Sequence, residues 1–93
     1  MLKVDYKTAK DREEAFRKIK NYITPALFAK YNINPQIEYR QESNQILAQG
    51  KGFDLKIIFS EKDLGLDLNV GFFLIPFRQV ILEKIEKEVR ALV

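Results

Sequence analysis

The stretch Phe53 to Val70, FDLKIIFSEKDLGLDLNV, is the part of the chain that most narrows what it can become. Phe53, Leu55, Ile57 and Phe59 recur at every second position. After a turn over Ser60 to Lys62, Leu64, Leu66, Leu68 and Val70 resume the same alternation. A period of two places side chains on opposite faces of an extended strand, so this is a hairpin with one continuous apolar face. Asp54, Lys56, Asp63, Asp67 and Asn69 fall on the other face. A lone two-stranded hairpin is marginal in water, so the remaining residues must widen the sheet and cover that apolar face.

They contain the right patterns to do so. Leu2, Val4 and Tyr6 alternate with Lys3 and Asp5, a short strand. Ile37 and Tyr39, then Ile46 and Ala48, predict two further strands, with Ser43-Asn44 as a tight-turn candidate and Gly50-Lys51-Gly52 as the next hairpin. Thr8 to Asp11 and Asp11 to Glu14 both have capping-box form, so a helix begins within a few residues of Thr8. It carries Phe16, Ile19, Ile23 and Leu27 at helical spacing. Pro25 lies inside that pattern and lacks the N–H that the helix needs, which predicts a kink near Thr24. A second amphipathic helix presents Phe77, Ile81, Ile85, Val89 and Leu92, widened by Val80 and Leu82. On its other face Glu83 with Lys87, and Glu86 with Arg90, have acid-first spacing of four.

The expected architecture is an α+β fold, a single βαββββα domain over residues 1–93, with a mostly antiparallel sheet and both helices packed on one face. The other sheet face is expected to be polar and wet, with Leu47 and Ile58 as its apolar exceptions.

Composition removes much chemistry. The chain has no His, which excludes the usual general base, Ser-His-Asp nucleophilic systems and His-based metal sites. It has no Cys, so it has neither disulfides nor thiolate ligands, which suits a reducing compartment. Gly50, Gly52, Gly65 and Gly71 match no phosphate-binding motif. Asp63 and Asp67 are neighbours on the polar face and read as solvated surface rather than an acid–base pair. No catalytic residue, cofactor or metal is expected, and the chain is read as non-enzymatic.

Net charge is only +3, from 16 Lys and Arg against 13 Asp and Glu. Lys51 and Lys56 are offset by Asp54 and Asp67, and the strand aromatics fall on the helix-covered face, both of which argue against nucleic acid as a partner. The N-terminus is charged at once and lacks the apolar core of a secretory signal. No run approaches the ~20 apolar residues of a membrane span. The expected location is cytoplasmic.

One segment stands apart. Gly71 to Phe77, GFFLIPF, places Phe72, Phe73, Leu74, Ile75 and Phe77 beside the two residue types that usually punctuate structure. These five are the candidate interaction residues. If the strand continues past Val70, Phe72 and Leu74 follow the inward face while Phe73 and Ile75 point outward. Pro76 then opens the last helix, which Phe77 anchors.

DREEA at the start of the first helix, Tyr39 followed by ESNQI, GKGFDLKI, and above all LNVGFFLIPF before a final amphipathic helix, together resemble the polyhydroxyalkanoic acid system protein family. The similarity runs over nearly the whole chain. It implies a short bacterial protein with an accessory role in polyester storage, meeting granules or granule-associated proteins, with no catalytic residues to transfer. The family pattern has a His ending the first strand and a Trp where Tyr39 stands, and this chain has neither residue type.

Two further readings follow from the residues themselves. In one, the first helix stands off the sheet at Pro25 and leaves a small hydrophobic-ligand pocket with Tyr22, Phe28 and Tyr31 at its mouth. In the other, the chain is a structural homodimer.

Overall fold

The computed structural model describes residues 1–93. Five strands form one antiparallel sheet in the spatial order β1-β5-β4-β3-β2. They are β1 (Leu2–Asp5), β2 (Gln36–Arg40), β3 (Gln45–Gly50), β4 (Phe53–Phe59) and β5 (Asp63–Val70). The helices are α1 (Arg12–Tyr22), α2 (Pro25–Ala29) and α3 (Arg78–Leu92), with a 3₁₀ helix over Phe72–Phe77 leading into α3. The βαββββα order and the antiparallel sheet are those the alternation requires.

Register follows the apolar pattern. Leu55 faces Leu68, Ile57 faces Leu66, and Phe59 faces Leu64 across β4 and β5, and all six are buried. Ile46 and Ala48 extend the same face through β3. A slip of one residue would turn every one of these side chains to water, so the pairing is strongly specified. The helices close the layer. Phe16 of α1 meets Phe59 with ring centroids 5.2 Å apart, and Phe28 of α2 meets Phe53 edge-on, also at 5.2 Å. Ile81, Ile85 and Val89 bring α3 into the same core, whose buried members are all apolar.

The two capping boxes compete, and the second wins. Asp11 is the N-cap of α1 and its carboxylate accepts from the Glu14 amide at 2.8 Å. Glu14 in turn accepts from the Lys10 amide at 3.1 Å. Thr8 belongs instead to a loop in which the amides of Lys7, Thr8 and Ala9 converge on the Val93 oxygen, tying β1 to the end of α3.

At Pro25 the helix breaks rather than bends. Ile23 and Thr24 are both extended, and Pro25 takes the first position of a new helix. The residue before proline disfavours helical geometry, while N1 tolerates proline at no cost, so two short helices satisfy more backbone than one kinked helix.

The connections show smaller departures. β2 and β3 are joined by four residues, Gln41 to Asn44, with Asn44 at positive φ, rather than by a two-residue turn. Glu86–Arg90 forms at 2.8 Å, whereas Glu83 accepts from Gln79 one turn earlier, and the second ion pair on α3 is Lys84–Glu88 at 3.1 Å.

Candidate functional site

The strand does not continue past Val70. β4 begins at Phe53, which faces Val70, so beyond Val70 there is no partner backbone left to pair. The hairpin loop Lys51-Gly52 intervenes, and the Gly71 amide donates to the Gly52 carbonyl at 2.8 Å. The chain then coils into the 3₁₀ helix, whose first bond runs from the Leu74 amide to the Gly71 carbonyl at 3.0 Å. Pro76 lies inside this segment and gives it no N–H, so the Phe73 carbonyl goes without its i+3 donor.

This change of period overturns the inward placement of Phe72, while Leu74 inward and Phe73 and Ile75 outward stand. With three residues per turn, Leu74 is the residue that turns back against the core, where it is half-buried. Phe72 and Phe73 are 83% and 88% exposed, Ile75 59%, and Phe77 55%. Phe72 therefore faces solvent rather than the core, and Phe77 does not anchor the last helix, because α3 begins one residue later and its buried stripe starts at Ile81. Val80, expected to widen that stripe, is 58% exposed. It lies three residues beyond Phe77 and so continues the exposed apolar strip onto the first turn of α3.

The result is a ridge with a groove on each side. One groove, of about 310 Å³, runs between the ridge and the β3–β4 turn, lined by Lys51, Gly52, Gly71, Phe72, Phe73 and Leu74. The other, about 320 Å³, separates the ridge from the end of α2, lined by Lys30, Tyr31, Asn32, Leu74, Phe77 and Ile81. Phe72 and Phe73 stack edge to face with centroids 5.9 Å apart, making a single blunt tip. Sequence reasoning named the five ridge residues but missed Val80 and the basic side chains at the margins. It set Lys51 and Lys56 against Asp54 and Asp67; Lys56 does face Asp67, while Lys51 lies in the groove beside Phe72 and Phe73.

The other candidate features are separate from this site. Phe28 is fully buried in the core and Tyr22 lies half-buried against it, so only Tyr31 borders an open groove. The break at Thr24 explains this, since α2 settles onto the sheet instead of standing off it. Asp63 and Asp67 lie four residues apart along β5, about 13 Å at the usual strand rise, and share neither a proton nor a cation. No three Asp or Glu side chains are placed to hold a metal ion. The open sheet face is polar, with Leu47 and Ile58 half-buried among Gln45, Gln49, Lys56 and Asn69. Burial pushes the hydroxyls of Tyr6 and Tyr22 up to about 12, with smaller contributions from Asp63 and Glu88 respectively.

No helix is long and apolar enough to cross a membrane. Comparison with protein-family models, with curated proteins and with solved structures finds no match.

Proposed function

We propose that this protein is a non-enzymatic docking module of a bacterial polyester-storage system, which uses the ridge of Phe72, Phe73, Ile75 and Phe77 to adhere reversibly to granules in the cytoplasm. The single observation that carries this reading is the ridge itself. Large apolar side chains are exposed together on one hydrogen-bonded segment and continue onto Val80, while the only other large apolar side chains left exposed are Met1 and a partly exposed Tyr39. A contiguous apolar patch of this kind marks a contact surface. The storage system as the setting is supported by the resemblance of LNVGFFLIPF and its neighbouring motifs to the polyhydroxyalkanoic acid system proteins.

Burying Phe72 and Phe73 on an apolar surface contributes roughly 3 to 6 kcal/mol before ordering costs. Because the ridge is held in place in the free protein, little further ordering is required, and the association remains weak enough to reverse. A fluorescent fusion expressed in polyester-accumulating cells tests the reading. The wild-type fusion collects at granule rims and Phe72→Ser with Phe73→Ser disperses it, whereas diffuse wild-type signal would remove polyester granules as the target.

A further inference from the structure

Resting on the docking reading, we infer that the surface this ridge enters is an anionic phospholipid layer, with the ridge seated among acyl chains and a basic rim on the headgroups. Lys51 lies at one flank of the ridge, in the groove with Phe72 and Phe73, and Lys30 lies at the other, in the groove with Phe77. Neither lysine is ion-paired within the protein, and no carboxylate lines either groove. Arg78 adds a third cation at the base of the ridge, exposed while one guanidinium N–H reaches the Leu68 carbonyl at 3.2 Å. Tyr31 borders the Lys30 groove, half-buried, with an aromatic body and a polar tip suited to the headgroup boundary.

An aromatic wedge flanked by unpaired cations fits an anionic interface, where the wedge gains from the acyl region and each cation from the surface potential. A second copy of the chain fits less well. A symmetric pairing through the ridge would set this rim of Lys30, Lys51 and Arg78 against an identical cationic rim, with no carboxylate lining either groove to offset it. An uncharged polyester face would leave the lysines without a partner.

The test is sedimentation of the full chain with three probes: vesicles of phosphatidylcholine alone, vesicles of phosphatidylcholine with phosphatidylglycerol, and bare polyester particles without lipid. The expected result is preferential binding to the phosphatidylglycerol vesicles, lost on Phe72→Ser with Phe73→Ser. Lys30→Gln with Lys51→Gln, both exposed and outside the core, should lower that binding about 30-fold, from the usual gain per basic residue at an anionic surface. Raising salt to about 1 M, where the screening length falls to about 3 Å, should do likewise to the wild type. Equal binding to both vesicle types, or no effect of the lysine changes, overturns the inference. Binding to bare polyester but to neither vesicle overturns it while leaving the granule reading intact, and binding to anionic vesicles but not to polyester sustains it while removing polyester as the underlying surface. A doubled solution mass that falls to the monomer in Phe72→Ser with Phe73→Ser would assign the ridge to a second copy and overturn it too.

Discussion

The amide of Gly71 donates to the carbonyl of Gly52 at 2.8 Å, and a Cβ added to Gly71 would stand 3.0 Å from the Gly52 Cα. This contact joins the chain just past the end of β5 to the β3–β4 turn and fixes the ridge against it. Gly52 has φ of 73°, in the left-handed region that side chains disfavour. Gly52→Ala should therefore cost about 1 to 2 kcal/mol, and Gly52→Asn less. Gly71, with φ of −80°, suffers no backbone penalty, and Gly71→Ala should cost about 1 kcal/mol through crowding alone. Urea denaturation of the three variants checks the ranking.

The choice between the two capping boxes has a direct consequence. Asp11→Ala removes the carboxylate that accepts from Glu14 and should destabilise the fold by about 1 kcal/mol. Thr8→Ala should change stability by less than about half that, since the Thr8 hydroxyl makes only a long contact of 3.4 Å to the Leu92 carbonyl. Equal losses in thermal melts would contradict the assignment of Asp11 as the cap.

Two tyrosines differ in what their hydroxyls do. Tyr39 donates to the Ile23 carbonyl at 2.5 Å, satisfying the chain where α1 ends, so Tyr39→Phe should cost about 1 kcal/mol. The Tyr22 hydroxyl is shielded from solvent and has no hydrogen-bond partner. Tyr22→Phe should be neutral or stabilising by up to about 1 kcal/mol, because it removes a polar atom that gains nothing in the folded state.

Alkaline pH should expose a second property of the tyrosines. Tyr6 and Tyr22 hold their protons up to about 12 when folded, against about 10 in an unfolded chain. Between those values the folded state binds more protons, so stability falls as pH rises. The contribution is complete below pH 10 and is lost progressively toward pH 12. Unfolding free energy measured from pH 9 to 12 should decline, and Tyr6→Phe with Tyr22→Phe should flatten the decline.

The sheet was legible because alternation over Phe53–Phe59 and Leu64–Val70 records which face is buried, and burial is what sets register. The helix break at Thr24 was legible as a disturbance at Pro25 but not as a clean division, since local pattern does not show whether Ile23 and Leu27 are reached by one axis or two. The ridge was the least legible part. Whether residues after Val70 stay extended depends on whether β4 offers a partner, and that is decided by where the Lys51-Gly52 turn falls. Phe72 was therefore placed inward on alternation that the missing partner strand had already ended. Lys30 and Lys51 are separated from the ridge by tens of residues, and only the folded chain brings them to its flanks.

The most direct measurement is co-sedimentation of the purified chain with polyester granules, comparing wild type with Phe72→Ser plus Phe73→Ser. Both residues are more than four-fifths exposed, so the double change should leave the thermal melt unaltered. The expected result is at least about 100-fold weaker granule binding at unchanged stability, given the apolar area withdrawn from the contact. Equal binding by the two proteins would contradict the ridge as the docking surface, and collapse of the cooperative melt would show that these side chains belong to the core.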